Sequence, residues 1–298
     1  MKRLLIIGCG DVALRMLPAL RSRYRIFALT HTRERLGLLR ARGIVPVPGD
    51  LDHPDTLGAL GGLAHDVVHF APPPNRGPRD CRTVNLLAAL TRGGSLPRHL
   101  VYISTTGVYG NCDGELVVET RTPRPATERA KRRADAELRL RNFSRRTGMA
   151  VSILRVPGIY AADRLPLERL RAGLPVLTAE EDSYTNHVHA DDLANIVVAA
   201  LRAGKPCRVY NATDDSSIKM GDYFDHVADS FGLPRPPRVP RADAMQRLPA
   251  NLLSFLGESR RLSNQRVKRE LRIKLRYPTV KEGLAEAVRI QSAEVRPA

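Results

Sequence analysis

The stretch "RLLIIGCGDVALRMLPALRSR", Arg3 to Arg23, decides how the rest of the chain is read. Its apolar run Leu4 to Ile7 has no alternation and stops at Gly8, as a strand buried on both faces does. From Asp11 onward the apolar residues recur at helical spacing. A strand, a glycine turn and a helix therefore follow one another within some twenty residues.

The same alternation continues outward. Strands are predicted at "YRIFALT" (24–30), "GIVPVPGD" (43–50), "DVVHFAPPP" (66–74), "HLVYIST" (99–105) and "AVSILRVPGIY" (150–160). Helices are predicted from Arg33 to Arg42, from Pro54, from Asp80 to Thr91, and over "PATERAKRRADAE" (125–137). Strict alternation implies parallel strands with right-handed crossovers, hence an α/β, Rossmann-type doubly wound sheet. After Pro157 the pattern loosens into Pro-rich turns such as "GLPRPPRVPR" and scattered helical pieces, although "VHADDLANIVVAAL" and "CRVYNAT" read as a helix and strand returning to the sheet. The expected division is a nucleotide-binding domain of residues 1–157 plus about 186–212 and a smaller substrate-binding lobe of 158–185 and 213–298.

Composition narrows the function classes. Of the 298 residues 43% are hydrophobic, ample for a packed core, and the formal charge of +17 favours an anionic partner. The Arg residues are scattered through every segment and form no stripe, which argues against nucleic acid and for a small anionic ligand. Cys9, Cys81, Cys112 and Cys207 form no C-x-x-C pair and have no His at metal-ligand spacing, so no metal site is expected and a reduced, cytoplasmic setting fits. "MKRLLIIGCGD" is too short for a signal sequence, and no stretch approaches the roughly 20 apolar residues of a membrane span.

Gly8-x-Gly10-x-x-Ala13 lies where a strand gives way to a helix, the place at which a dinucleotide pyrophosphate is held. Glycines permit the tight turn and close approach, and the backbone N–H groups beginning at Asp11 and Val12 meet the phosphates. After the second strand comes "ALTHTRERL", without the carboxylate that an NAD site places on the ribose hydroxyls. Thr30, His31 and Arg33 there suit a 2′-phosphate, so NADP is expected in preference to NAD.

The phrases "VPGDLDHPDTL", "HFAPPP", "VNLLAAL", "VYISTTGVYG", "VSILRVPGIYA", "NHVHADDLANIVVAAL" and "RVYNATDD" occur in an order that resembles the extended, atypical short-chain dehydrogenase/reductases, the NAD-dependent epimerase/dehydratase family and its nucleoside-diphosphate-sugar epimerase branch. By that resemblance Asp50 and Leu51 contact adenine, and Ala71, Pro72 and Pro73 line the cofactor. Thr105, with Thr106 beside it, bonds a substrate oxygen, and Tyr109, Tyr160 and Asn186 line the substrate cleft. The resemblance also implies a homodimer through the helices flanking the sheet.

One part of the resemblance is missing. These enzymes pass a proton through a Tyr whose pKa a Lys at i+4 lowers. Here the string Y-x-x-x-K occurs only at Tyr277 to Lys281, late in the chain and interrupted by Pro278, and no tyrosine stands between Tyr109 and Tyr160. The anchors Pro125 and Glu137 place the Tyr position at Arg129 and the Lys position at Arg133; a shifted register gives Thr127 and Lys131. Arg does not exchange a proton near neutral pH, but two guanidiniums at i, i+4 can clamp a ribose, phosphate or carboxylate. Tyr109, His187 and His189 are substitute proton donors to consider. Two functions follow: an NAD(P)-dependent oxidoreductase or epimerase acting on a sugar nucleotide or similar carbonyl or hydroxyl compound, or a non-catalytic NAD(P)-binding regulator or redox sensor.

Overall fold

A computed structural model describes residues 1–248 and 257–294; residues 249–256 and 295–298, which the expected lobe includes, lie outside the described residues. Seven parallel strands form one sheet: β1 (Lys2–Ile7), β2 (Tyr24–Thr30), β3 (Val45–Pro48), β4 (Asp66–His69), β5 (His99–Thr105), β6 (Ala150–Val156) and β7 (Arg208–Asn211). Their order is β7-β6-β5-β4-β1-β2-β3, so the chain reverses direction across the sheet between β1 and β4. In such sheets ligands bind beyond the carboxyl ends of the strands at that reversal.

Side chains alternate across the sheet. Leu4 and Ile6 of β1 join one core with the helix Ala190–Ala203, while Leu5 and Ile7 join the opposite core with the helices Cys81–Thr91 and Glu128–Thr147. Both faces are covered, which is why the strands read as unbroken apolar runs. A third core of Tyr160, Leu170, Tyr223, Phe224, Val280 and Leu284 belongs to the segments that follow Pro157.

Two expected elements differ. "AVSILRVPGIY" is not one strand, because Pro157 has no N–H for the ladder; β6 ends at Val156, and Gly158–Tyr160 pairs separately with His187–His189. The segment from Pro54 is a short 3-10 turn, Pro54–Leu60, not an α-helix.

The helix Glu128–Thr147 is set by its ends. The Thr127 hydroxyl accepts from the Ala130 N–H at 3.2 Å, and Gly148 leaves the helix in a left-handed conformation at φ 76°. Ala130, Ala136, Leu140 and Phe143 are buried, which fixes the helix rotation. Arg129 and Arg133 thereby share one side, one turn apart.

Candidate active site

Two cavities open at the carboxyl edge of the sheet, on either side of the end of β4. The smaller, about 320 Å³, begins at the first glycine turn. Gly8 has φ +82°, and a Cβ there would stand 2.7 Å from the Ala71 nitrogen, so only glycine is accommodated without strain. Gly10 differs: a Cβ would meet nothing within 4 Å, so its open side is turned away from protein. That open backbone beside a glycine turn is what a pyrophosphate needs, and the residues present fit a dinucleotide.

Gly8, Thr30, His31, Asp50, Leu51, Ala71 and Pro72 line this cavity together. Of the expected contacts, Gly10, Asp11, Val12, Arg33 and Pro73 do not line it; Asp11 and Val12 open the helix after Gly10, where their backbone N–H groups are the expected donors. Val12 packs its side chain into the core, Pro73 is buried, and the Asp11 carboxylate is bound by Arg15 at 2.9 Å and Arg164 at 3.3 Å. Arg33 stands just before the helix Glu34–Ala41 and outside the cavity; Arg35, one half-turn further, lines it and donates to the Cys9 carbonyl. Helix phase thus brings Arg35, and not the expected Arg33, to the cavity.

The larger cavity, about 540 Å³, is assembled from distant segments. Ser104, Thr105 and Thr106 reach it from the end of β5, Arg129 and Arg133 from the long helix, and Asn186 and His187 from the return segment. Thr105 Oγ1 accepts from the Gly107 N–H at 3.2 Å. Arg133 donates to the Ile103 carbonyl at 2.6 Å and to the Tyr102 hydroxyl at 3.1 Å, which ties its guanidinium to the strand end. The rest of the basic run goes elsewhere. Lys131 is exposed and paired with Glu128 at 2.8 Å, and Arg132 donates to the Gly77 carbonyl at 2.9 Å.

Two expected cleft residues are not in the cleft. Tyr109 is buried beneath it: its hydroxyl donates to Asn211 at 2.7 Å and its ring lies 4.5 Å from the Arg155 guanidinium carbon. Burial raises its pKa further, away from proton transfer. Tyr160 belongs to the third core, donating to the Thr279 carbonyl at 3.3 Å, and burial raises its pKa also. Both lie next to cavity segments in sequence, but Tyr109 closes the 3-10 turn Thr106–Tyr109 with its side chain buried, and Tyr160 follows the break at Pro157 into the third core. Tyr277, of the stray Y-x-x-x-K string, packs against His189 with ring centroids 4.0 Å apart and lies outside the cavity.

The histidines are settled by burial. His187 lines the cavity and stacks on Tyr223 at 4.1 Å, and burial holds its pKa down to about 3, so its ring is neutral at physiological pH. His189 accepts from the Asp191 N–H at 3.2 Å as a helix cap, with its pKa lowered by burial. Neither is a general acid near neutrality.

Phe70, Tyr184, Glu258 and Arg260 complete the wall and were not singled out from sequence. Arg260 donates to Glu258 and to the Gly110 carbonyl, both at 2.8 Å. Only the basic segment "SRRLSNQRVKRELRIKLR" (259–276), which as a whole suits an anionic ligand, signalled it. Within that run Arg266, Lys268 and the neighbouring Glu270 are engaged in ion pairs away from the cavity. Phe70 had a signal, since it precedes Ala71 in "HFAPPP", and Tyr184 had a similar one, two residues before Asn186. Among the described residues no cluster of His, Cys, Asp and Glu fits a metal, and no helix is long and apolar enough to cross a membrane.

Residues 81–213 match the model of the NAD dependent epimerase/dehydratase family. Over that stretch, fewer than half of the 298 residues, the chain is similar to that family. The whole chain is similar to a functionally unknown conserved protein from Silicibacter pomeroyi, with TM-score 0.82, 27% identity and coverage of 98% of this chain and 99% of that one. Its fold also matches UDP-glucose 4-epimerase from Thermotoga maritima, solved with UDP-glucose, at TM-score 0.78 and 18% identity over 99% and 100% of the two chains. A 3-diazoavenalumate denitrifying reductase from Streptomyces is 30% identical over 125 residues, which span 42% of this chain and 41% of that relative. In the register set by Pro125 and Glu137, this chain carries guanidiniums on the helix where that family's phenol and amine are expected.

Proposed function

We propose that the chain is an NAD(P)-dependent oxidoreductase or epimerase that uses NADP in preference to NAD and acts on an anionic carbonyl or hydroxyl substrate such as a sugar nucleotide. The supporting observation is that Phe70 and Ala71, consecutive at the end of β4, face different cavities, Phe70 the larger and Ala71 the smaller. A dinucleotide crossing the Gly8 turn at the sheet's reversal point puts adenosine in the smaller cavity and nicotinamide beside Phe70 and Thr105. When bound, the nicotinamide supplies hydride chemistry at its C4. Asp50 and Leu51 then flank adenine, while Thr30, His31 and Arg35 meet the 2′-phosphate.

The larger cavity supports an anionic substrate, for its charged wall residues are Arg129, Arg133 and Arg260 against Glu258. Thr105 and Thr106 bond the reacting oxygen, Asn186 lines the substrate side, and the segments after Pro157 form the substrate lobe. The regulator or redox-sensor reading draws support from one observation: neither Arg129 nor Arg133 exchanges a proton.

Titration of the purified protein with NADPH and NADH tests the cofactor assignment. NADPH is expected to bind more tightly, and Arg35→Leu to weaken NADPH about tenfold, roughly 1.4 kcal/mol, with NADH changed less than about twofold. Equal losses for both nucleotides would overturn the NADP preference, and failure to bind either would overturn the whole assignment. Binding without turnover on any carbonyl or hydroxyl substrate favours the regulator.

A further inference from the structure

The helix position that carries the family's proton-transferring phenol holds Arg129, so another acid has to serve if the chain turns over. We propose that Tyr184, which lines the larger cavity, is the phenol that passes the proton to the substrate oxygen. The inference rests on the oxidoreductase reading above.

The eight tyrosines can be sorted by position. Tyr24 donates to Asp66 at 2.8 Å, among residues at the opposite edge of the sheet. Tyr102, fully buried, is held by Arg133, Tyr109 by Asn211 and Tyr160 by the Thr279 carbonyl. Tyr210 accepts from the Lys205 N–H at 3.2 Å, Tyr223 is buried against His187, and Tyr277 is buried against His189. Among the described residues, Tyr184 is the tyrosine that lines the cavity. It is half-buried, and no described residue hydrogen-bonds its hydroxyl.

Other groups on the wall are poorer acids. His187 stays neutral, Glu258 is tied to Arg260, Ser104 donates to Glu137 at 2.6 Å, and the Thr105 and Thr106 alcohols hold their protons far more tightly than a phenol does. Tyr184 is also fixed in place. Its ring packs where the Cβ of any replacement for Gly114 would stand 3.1 Å away, and the Arg261 guanidinium carbon lies 5.1 Å from the ring centroid. Arg261 sets a positive charge beside the phenolate that proton transfer leaves.

In the reducing direction the carbonyl carbon gains a hydride with its two electrons from the reduced nicotinamide. The C=O π pair moves onto oxygen, which takes the Tyr184 proton, and the phenolate recovers a proton from water. Oxidation of an alcohol runs the same transfers backward.

Tyr184→Phe keeps the ring, its packing on Gly114 and its contact with Arg261, and removes a hydroxyl that binds no described residue, so the fold is expected to be unchanged. NADPH affinity is read by fluorescence titration, and turnover by NADPH oxidation with 4-nitrobenzaldehyde and pyruvate as carbonyl probes. The expected result is a 10²- to 10⁴-fold lower kcat at saturating NADPH, with the NADPH Kd within about twofold of wild type. A variant that keeps a tenth or more of the wild-type rate overturns the inference. So does a wild-type protein that binds NADPH and reduces neither probe, which leaves the nucleotide site intact. Loss of binding to both nucleotides in the wild type is a different failure, that of the oxidoreductase reading itself.

Discussion

The two cavities beside β4 are built by different physics. The smaller is a product of backbone sterics: Gly8 in a left-handed turn against Ala71, Gly10 open, and strand ends that follow one another in sequence. The larger depends on charges held in place under its floor. Arg155 and Glu137, both buried, form a two-pronged pair at 3.0 and 2.7 Å, Ser104 donates to the same carboxylate, and the Arg155 guanidinium lies over Tyr109. A site fixed by local geometry tolerates change in distant segments. A site resting on a buried ion pair depends on both partners, because an isolated buried charge is far costlier than the pair.

Glu137→Gln tests that difference most strongly. Gln can still accept from Ser104, but it leaves the Arg155 guanidinium, 1% exposed, without its counter-charge. The expected loss is about 3–5 kcal/mol of unfolding free energy in urea denaturation. NADPH affinity of the protein that remains folded should change little, because neither residue lines the smaller cavity. A loss below about 1 kcal/mol would show that the larger cavity does not depend on buried charge, and the contrast would fail.

The same contrast explains what was legible in the sequence. The parallel sheet and the glycine turn follow from residues a few positions apart, so hydrophobic runs and glycine spacing reveal them. The smaller cavity's Thr30, His31, Asp50, Leu51 and Ala71 were found because each sits at a strand's carboxyl end, and a doubly wound sheet brings those ends together. Glu258 and Arg260 lie tens of residues from the other cavity residues, and Tyr184, two residues before Asn186, belongs to no periodic pattern, so no spacing rule brings them to Thr105. Tyr109 and Tyr160 were placed in the cleft by the family resemblance, which does not determine side-chain direction in this chain. Arg33 and Arg35 show the same limit at the scale of half a helical turn.

Gly8→Ala probes the smaller cavity. Alanine at φ +82° is strained, and its Cβ would press on the Ala71 backbone, so about 1–3 kcal/mol of stability should be lost in the same denaturation assay. The turn must shift to relieve that contact, and NADPH should bind at least tenfold more weakly in fluorescence titration. Gly10→Ala meets no protein atom, so its effect on stability should be limited to its backbone preference, while its methyl group occupies the space assigned to the pyrophosphate. Weaker binding with little loss of stability at Gly10, beside loss of both at Gly8, sharpens the claim that one glycine is needed for the turn and the other for the ligand. Unchanged NADPH binding in both variants would break it.

The smallest effect is expected on the helix beside the larger cavity. Four cations stand within "PATERAKRRADAE", and by composition they are equivalent. The structure separates them: Arg129 and Arg133 line the larger cavity, Arg132 is held by the Gly77 carbonyl, and Lys131 meets Glu128 in solvent. An exposed i, i+3 pair contributes a few tenths of a kcal/mol, so Lys131→Ala should change stability by less than about 0.5 kcal/mol and leave nucleotide binding unaltered. Arg133→Ala removes the bonds to Ile103 and Tyr102 and one of the cavity's positive charges, and should weaken an anionic ligand such as UDP-glucose in calorimetric titration by more than Lys131→Ala does. If the two variants bind it equally well, the charge of this helix acts through the surface as a whole and not through the side that faces the cavity.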